Sequence, residues 1–172
     1  MEPSDGLTSF QLIQYNDELL NDQLSSILAK LPNVFKGKAL EVGPGFSTSY
    51  QRVLLRQFQL VEVIEMKPEA IKWIKSFDKQ FFELYPESKK GFFLHAKPVQ
   101  QWQPRIGDPK LDLVHMRYVI NYLDNQDLLK FLKVLHKMLE ISDDSDRVEK
   151  QLLHPAYIIV QDQFHDLSLI HI

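Results

Sequence analysis

The chain contains no cysteine, which removes disulfide frameworks, thiolate metal sites and cysteine nucleophiles at once. It has no basic excess either. The formal net charge of −3 argues against a general nucleic-acid binder, which needs a positive stripe to displace counterions from phosphate. Small or cationic partners fit the charge better. No apolar run approaches membrane-spanning length, and Met1-Glu2-Pro3-Ser4-Asp5 lacks the basic flank and apolar core of a signal peptide. A location in cytoplasm or nucleus is therefore expected, with no membrane partner. His95, His136 and His154 show no metal-ligand spacing, so no metal is expected. No internal repeat is visible. With 172 residues and 44% hydrophobic content, the chain suits one domain with a substantial core.

The most informative motif is Ala39-Leu40-Glu41-Val42-Gly43-Pro44-Gly45, with Glu65 closing the apolar run Val61-Glu62-Val63-Ile64 twenty residues after Gly45. A strand entering a turn with two glycines lets the backbone approach a ligand with no Cβ in the way. A helix is expected to start at Ser47 or Thr48 with its N–H groups toward the turn. Glu65, at the end of the next strand, is placed to accept hydrogen bonds from ribose hydroxyls. Together they read as a βαβ unit for an adenine nucleotide; a structural turn beside a solvated glutamate is the alternative. The third glycine of the dehydrogenase fingerprint is missing after Phe46, which disfavours a nicotinamide enzyme. Tyr85 and Lys89 have the Tyr-x-x-x-Lys spacing of short-chain dehydrogenases, but Pro86 and the surrounding polar residues read as a loop.

Along the chain, Leu19, Leu20, Leu24, Ile27, Leu28 and Leu31 recur at helical spacing and Pro32 ends the run. Strands are expected at about 38–42, 60–65, 92–96, 111–116 and 156–160. Helices are expected at about 48–58, at 68–77 with Pro68 as first residue, and from Asn125, where Leu128, Leu129, Leu132, Leu135 and Leu139 form the apolar stripe. Trp73 reads as a packing residue. Residues 140–154 read as a long surface connection. This alternation implies an α/β fold, a doubly wound, mostly parallel sheet with its ligand site at the strands' carboxyl ends.

These residues carry a family resemblance. The stretch from Gly43-Pro44-Gly45 through Arg52-Val53-Leu54-Leu55, Phe58 and Val61 to Glu65 resembles the first two motifs of class I S-adenosylmethionine-dependent methyltransferases, and within them the protein N-terminal (alpha-N) methyltransferases. Leu111 to Leu123, continued by Asp127-Leu128 and Phe131-Leu132, is similar to the family's fourth strand and the segment after it. Ile158 to Gln163 is similar to its fifth strand, ending in an acidic residue and an amide. Family members carry Gln-Trp at Arg117-Tyr118, histidine at Tyr122 and Asn at Gln163.

The resemblance implies S-adenosyl-L-methionine as cofactor and a Rossmann-like methyltransferase sheet. By position, Glu41, Gly43, Gly45, Glu65 and Met66 would line the cofactor site, with Val99 and Gln100 as the adenine-contacting pair. Arg117 pairs with a carboxylate of cofactor or substrate, or is a surface ion-pair partner. His115 touches a ligand at the fourth strand's end or is hydrogen-bonded structure. The lack of cysteine excludes the cytosine-C5 route, and the missing Asn/Asp-Pro-Pro-aromatic run argues against adenine-N6 or glutamine-amide methylation.

An α-amine with a pKa of about 7.7 to 8 is partly neutral at pH 7, whereas a lysine near 10.4 costs about 4 to 5 kcal/mol to deprotonate. An N-terminal amine therefore needs only a modest base, and Asp162, helped by Tyr122 or Gln163, is the local candidate. The expected activity is methyl transfer to the N-terminal α-amine of proteins. A small-molecule or other protein methyltransferase of the same fold and a non-catalytic partner subunit stay open, as does the activity of this fragment. Residues 1–37 are expected to be an N-terminal helical segment and 38–166 an incomplete catalytic core lacking its C-terminal strands. Residues 167–172, Leu-Ser-Leu-Ile-His-Ile, spell what a transposon-end adapter gives in one reading frame and are expected to be a non-native tail.

Overall fold

The computed structural model describes residues 9–31, 36–104, 110–117, 119–139, 156–161 and 167–171. Helix α1 (Ser9–Lys30) leads into β1 (Lys38–Val42). Next come α2, π-helical over Tyr50–Leu54 and α-helical over Leu55–Gln57, then β2 (Leu60–Glu65) and α3 (Pro68–Leu84). The chain continues through β3 (Phe92–Ala96), β4 (Leu113–Arg117), α4 (Asn125–Leu139), β5 (Tyr157–Gln161) and β6 (Leu167–His171). The strands form one sheet in the order β3-β2-β1-β4-β5-β6. β1 to β5 pair in parallel and β6 pairs antiparallel with β5. From β1 the chain runs outward to β3, then returns to place β4 on β1's other side. The crevice between β1 and β4 is thus the point where strand order reverses, the place open α/β sheets bind ligands.

Each of β1 and β4 is buried at all five positions, because helices cover both faces of a parallel sheet. On one face Ala39, Val61, Val63, Leu113 and Ile159 pack against Leu24 and Leu28 of α1, Val53 and Leu54 of α2 and Ile74 of α3. On the other, Leu40, Val42, Ile64, Val114 and Met116 meet Trp102 and, from α4, Phe131, Leu135 and Met138. Each strand thus sends alternate residues to two cores, the period-2 consequence of the pleat.

The strands stand close to their expected places, with β4 starting at Leu113 rather than 111; the helices differ more. α2 is not a regular helix from Thr48. Its first turn is π-helical, with the N–H of Leu55 donating to the carbonyl of Tyr50, and adjacent Tyr50 and Gln51 both donate to Asp78 Oδ1, at 3.1 and 3.0 Å. α3 runs seven residues past Phe77 to Leu84. The buried carboxylate of Asp78 interrupts the apolar period there, but its two donors satisfy it and the helix continues. α4 begins where Asp124 Oδ1 accepts from the N–H groups of Gln126 and Asp127. Its buried face is Phe131, Leu135 and Met138, while Leu129 and Leu132 of the expected stripe are exposed.

A sixth strand, β6, follows within residues 167–171 and pairs antiparallel with β5. The outer edge of β5 offers unpaired backbone groups, and the five-residue run Leu167–His171 pairs with them. No described helix is long and apolar enough to cross a membrane. Residues 32–35, 105–109 and 140–155, Tyr118, and the segment 162–166 with Asp162 and Gln163 lie outside the described residues.

Candidate functional site

The carboxyl ends of β1, β2, β3 and β4 surround a cavity of about 460 Å³, within the roughly 300 to 1,000 Å³ usual for small-molecule sites. Its floor is the turn after β1. Gly43 and Gly45 take φ of +63° and +59°, a left-handed conformation glycine adopts without steric cost. The Gly43 N–H donates to the carbonyl of Ile64 at 2.8 Å, holding the turn against β2. A Cβ at Gly43 would run into Val119 Cγ2, whereas one at Gly45 would meet nothing within 4 Å.

Glu65 joins this turn to the end of β2. Its Oε2 accepts from the N–H of Gly45 at 2.8 Å. Its Oε1 accepts from the N–H groups of Met66 and Lys67, each at 2.8 Å. A carboxylate has about four acceptor sites, so the three bonds leave capacity for one more donor on the cavity side. What the structure shows of the acid expected to read ribose is that it fixes the glycine turn beside the cavity.

Of the other site residues read from the sequence, Met66, Val99, Gln100, Arg117 and Tyr122 also line the cavity. Gln100 is steadied by a 3.3 Å bond from its Nε2 to Asp127 Oδ2 of α4. Arg117 is buried at the end of β4. Tyr122, in the 3₁₀ turn Ile120–Tyr122, is 72% exposed and sits at the cavity mouth with Lys67 Nζ 5.4 Å from its ring centre.

Glu41 requires correction. It is fully buried behind the cavity wall, where Oε2 is hydrogen-bonded to His115 Nδ1 and Oε1 accepts from Ser49 Oγ at 3.3 Å. Ser49 Oγ is in turn 2.9 Å from Ser47 Oγ, and Ser47 does line the cavity. Glu41 thus reaches the wall only through two serines, because its position on β1 points it into the sheet's α1/α2 face. His115, likewise fully buried, is hydrogen-bonded structure.

Sequence reasoning missed Leu20, Phe46, Lys67 and Lys97, which also line the cavity. Leu20 reads in sequence as one more apolar position of α1, and nothing local distinguishes it. Phe46 is held by Trp73 of α3, whose Nε1 donates to the Phe46 carbonyl at 3.1 Å, with the rings edge-on at 6.0 Å. Lys67 carried a usable signal, since it follows the acidic strand end by two positions. Tyr85 and Lys89 lie at the other end of α3 from Lys67, about 25 Å of helix away.

A second buried polar cluster stabilises the sheet without touching the cavity. Lys38 Nζ is 2.7 Å from Glu62 Oε1, and Oε2 of the same carboxylate is 2.9 Å from His95 Nε2 and accepts from Trp102 Nε1 at 3.1 Å. Burial pushes the Glu62 pKa up, but the hydrogen bonds and charges of His95 and Lys38 outweigh it and hold it at about 2. At Asp78 burial wins over the bonds from Gln51 and Tyr50, and the carboxyl is raised to about 6. Among the described residues, no group of three or more His, Asp or Glu is placed to hold a metal ion.

No family's sequence model matches the chain; the comparison that speaks is one of structure. A SAM-dependent methyltransferase of Leishmania major superposes with a TM-score of 0.59 at 13% identity, over 96% of this chain and 63% of that one. The N-methyltransferase NodS of Bradyrhizobium japonicum, in complex with S-adenosyl-L-homocysteine, gives 0.56 at 17% identity, over 91% and 63%. The glycopeptide N-methyltransferase MtfA, complexed with sinefungin, gives 0.56 at 14%, over 82% and 47%. The chain spans less than two thirds of the length of each. Its fold is that of the Rossmann-like class I methyltransferases.

Proposed function

We propose that the chain is the cofactor-binding part of an S-adenosylmethionine-dependent N-methyltransferase whose acceptor is an α-amine at a protein N-terminus. The observation that carries this reading is the bond from the Gly45 N–H to Glu65, which locks a doubly left-handed glycine turn to an acidic strand end on one wall of the cavity. This cradle fits an adenosyl group. Glu65 keeps capacity for a ribose hydroxyl, Val99 and Gln100 flank the space for a base, and Arg117 offers a guanidinium for the cofactor's carboxylate. MtfA, with sinefungin or S-adenosylmethionine bound, and NodS, with S-adenosylhomocysteine bound, are both named as N-methyltransferases, which supports the same ligand here.

When bound, S-adenosylmethionine supplies a methyl group on a sulfonium that departs as a neutral thioether. The chain's own part is to position a neutral amine in line with that methyl group and to receive the proton the nitrogen gives up. Tyr122 stands at the mouth as an orienting ring. Asp162, which follows β5 in the sequence, is the proposed proton acceptor, with Gln163 as a further polar helper. Neighbours that methylate small amines, such as the phosphoethanolamine N-methyltransferase of Haemonchus contortus, superposing at a TM-score of 0.52, favour a second reading in which the acceptor is a metabolite. Labelled cofactor offered with peptides or with small amines separates the two.

Calorimetric titration with S-adenosylhomocysteine tests the cofactor reading. The wild-type chain is expected to bind it, and Glu65→Ala to weaken binding by more than about tenfold, the cost of losing one charged acceptor. If the wild type does not bind, or Glu65→Ala binds equally well, the reading fails.

A further inference from the structure

Resting on the reading above, we propose that the Ser47 hydroxyl receives the α-ammonium at the amino-acid end of the cofactor, and that Ser49 and Glu41 behind the wall fix it as an acceptor for that group. Ser47 lines the cavity two residues beyond Gly45, and its N–H closes the glycine turn on the carbonyl of Pro44 at 2.9 Å. In that reading Glu65 takes the ribose and Val99 and Gln100 flank the base, so the glycine turn is left for the amino-acid end.

The direction of each hydrogen bond follows from Glu41. It is fully buried, as are Ser49 and His115, and a carboxylate out of reach of water needs donors on its oxygens. His115 Nδ1 serves Oε2, and Ser49 Oγ donates to Oε1 at 3.3 Å. A hydroxyl carries one proton. With that proton committed to Glu41, Ser49 can only accept from Ser47, whose Oγ lies 2.9 Å away. The opposite order, Ser49 donating to Ser47, would leave Glu41 Oε1 buried without a donor. Bonds to a charged acceptor are roughly twice as strong as neutral ones, so the carboxylate takes the proton.

Ser47 Oγ is thereby left as an acceptor. Its proton goes to Ser49, and one of its two lone pairs takes the N–H of Ser49 at 3.1 Å. One lone pair remains. An oxygen in that state cannot donate to a carboxylate, but it can accept from an ammonium. The amino-acid end of the cofactor carries one of each, so only its ammonium is complementary. Ser47 is 5% exposed, and a hydrogen bond made away from water is the stronger for it. Ser47 is the residue that touches the cofactor; Ser49 and Glu41 are positioning residues that set its polarity from behind.

The test compares S-adenosylhomocysteine with two analogues by calorimetric titration of the full chain. One analogue has hydrogen in place of the α-ammonium, the other hydrogen in place of the carboxylate. The wild type is expected to bind S-adenosylhomocysteine about tenfold or more tighter than the analogue without ammonium, the effect of a hydrogen bond to a charged group. Ser47→Ala is expected to bring that ratio to within about threefold and to leave the ratio against the analogue without carboxylate unchanged. Ser49→Ala keeps the Ser47 hydroxyl but releases its proton, and is expected to lower the ammonium ratio as well. Circular dichroism establishes that each variant is folded, and where one unfolds the other decides. A merely structural role for the serines weakens all three ligands equally, and that result overturns the proposal. An ammonium ratio unchanged in either folded variant, or a fall confined to the carboxylate ratio, overturns it too. In each of these cases the wild type still binds S-adenosylhomocysteine and the cofactor reading stands. Failure of the wild type to bind it overturns the cofactor reading and this proposal with it.

Discussion

Gly43 and Gly45 share a backbone conformation but not a neighbourhood, and that difference is measurable. Alanine at either position must adopt the left-handed region, at a cost of about 1 to 2 kcal/mol. At Gly43 the added methyl also meets Val119, while at Gly45 it meets open space. Gly43→Ala is therefore expected to lose about 2 to 4 kcal/mol in urea denaturation and Gly45→Ala about half as much. Equal losses at the two sites would mean that Val119 yields freely. The glycine pair and Glu65 were legible in the sequence because few residue types can replace them: glycine takes a left-handed turn without Cβ strain, and only a carboxylate is a charged acceptor at a strand end. Glu41 was misread because its place in the motif fixes its strand but not the face to which its side chain points.

The elements were found where one kind of signal governed them. Both faces of β1 and β4 are buried, so their apolar runs stood out, and Pro68 at the first position of α3 marked that start. Boundaries were missed where a polar group lies inside. Asp78 hid the second half of α3, and the π-helical turn of α2, which carries both of its donors, has no signature in periodicity. The docking of α1 gives a direct check. Leu24 is fully buried against the sheet and Leu19 is 49% exposed. Leu24→Ala is expected to cost about 2 to 4 kcal/mol and Leu19→Ala less than about 0.5 kcal/mol, as measured by the urea midpoint at unchanged slope. A small effect at Leu24 would place α1 loosely on the sheet.

At the scale of the whole molecule, two buried carboxylates pull stability in opposite directions with pH. Glu62 has its pKa lowered from 4.5 to about 2; its contribution is present above 4.5 and is lost as pH falls toward 2. Asp78 is raised from 3.8 to about 6; its contribution is present below 3.8 and is lost as pH rises through 6. Between about pH 5 and pH 7.5 Asp78 alone is expected to remove about 1 kcal/mol of stability. Asp78→Asn, which cannot ionise, should abolish that part of the slope. Urea denaturation of both proteins at the two pH values checks it, and an unchanged slope in the variant would assign the titration to another group.

The sequence by itself determined the alternation of strands and helices, the glycine turn and the acid that follows it, because these depend on local chemistry: backbone freedom, apolar periodicity and a fixed spacing along the chain. Only the tertiary structure decided which side chains share the cavity. Lys67, Lys97 and Arg117 come from the ends of different elements, and Leu20 arrives from α1. Their meeting is set by the strand order β3-β2-β1-β4, and no local pattern encodes it.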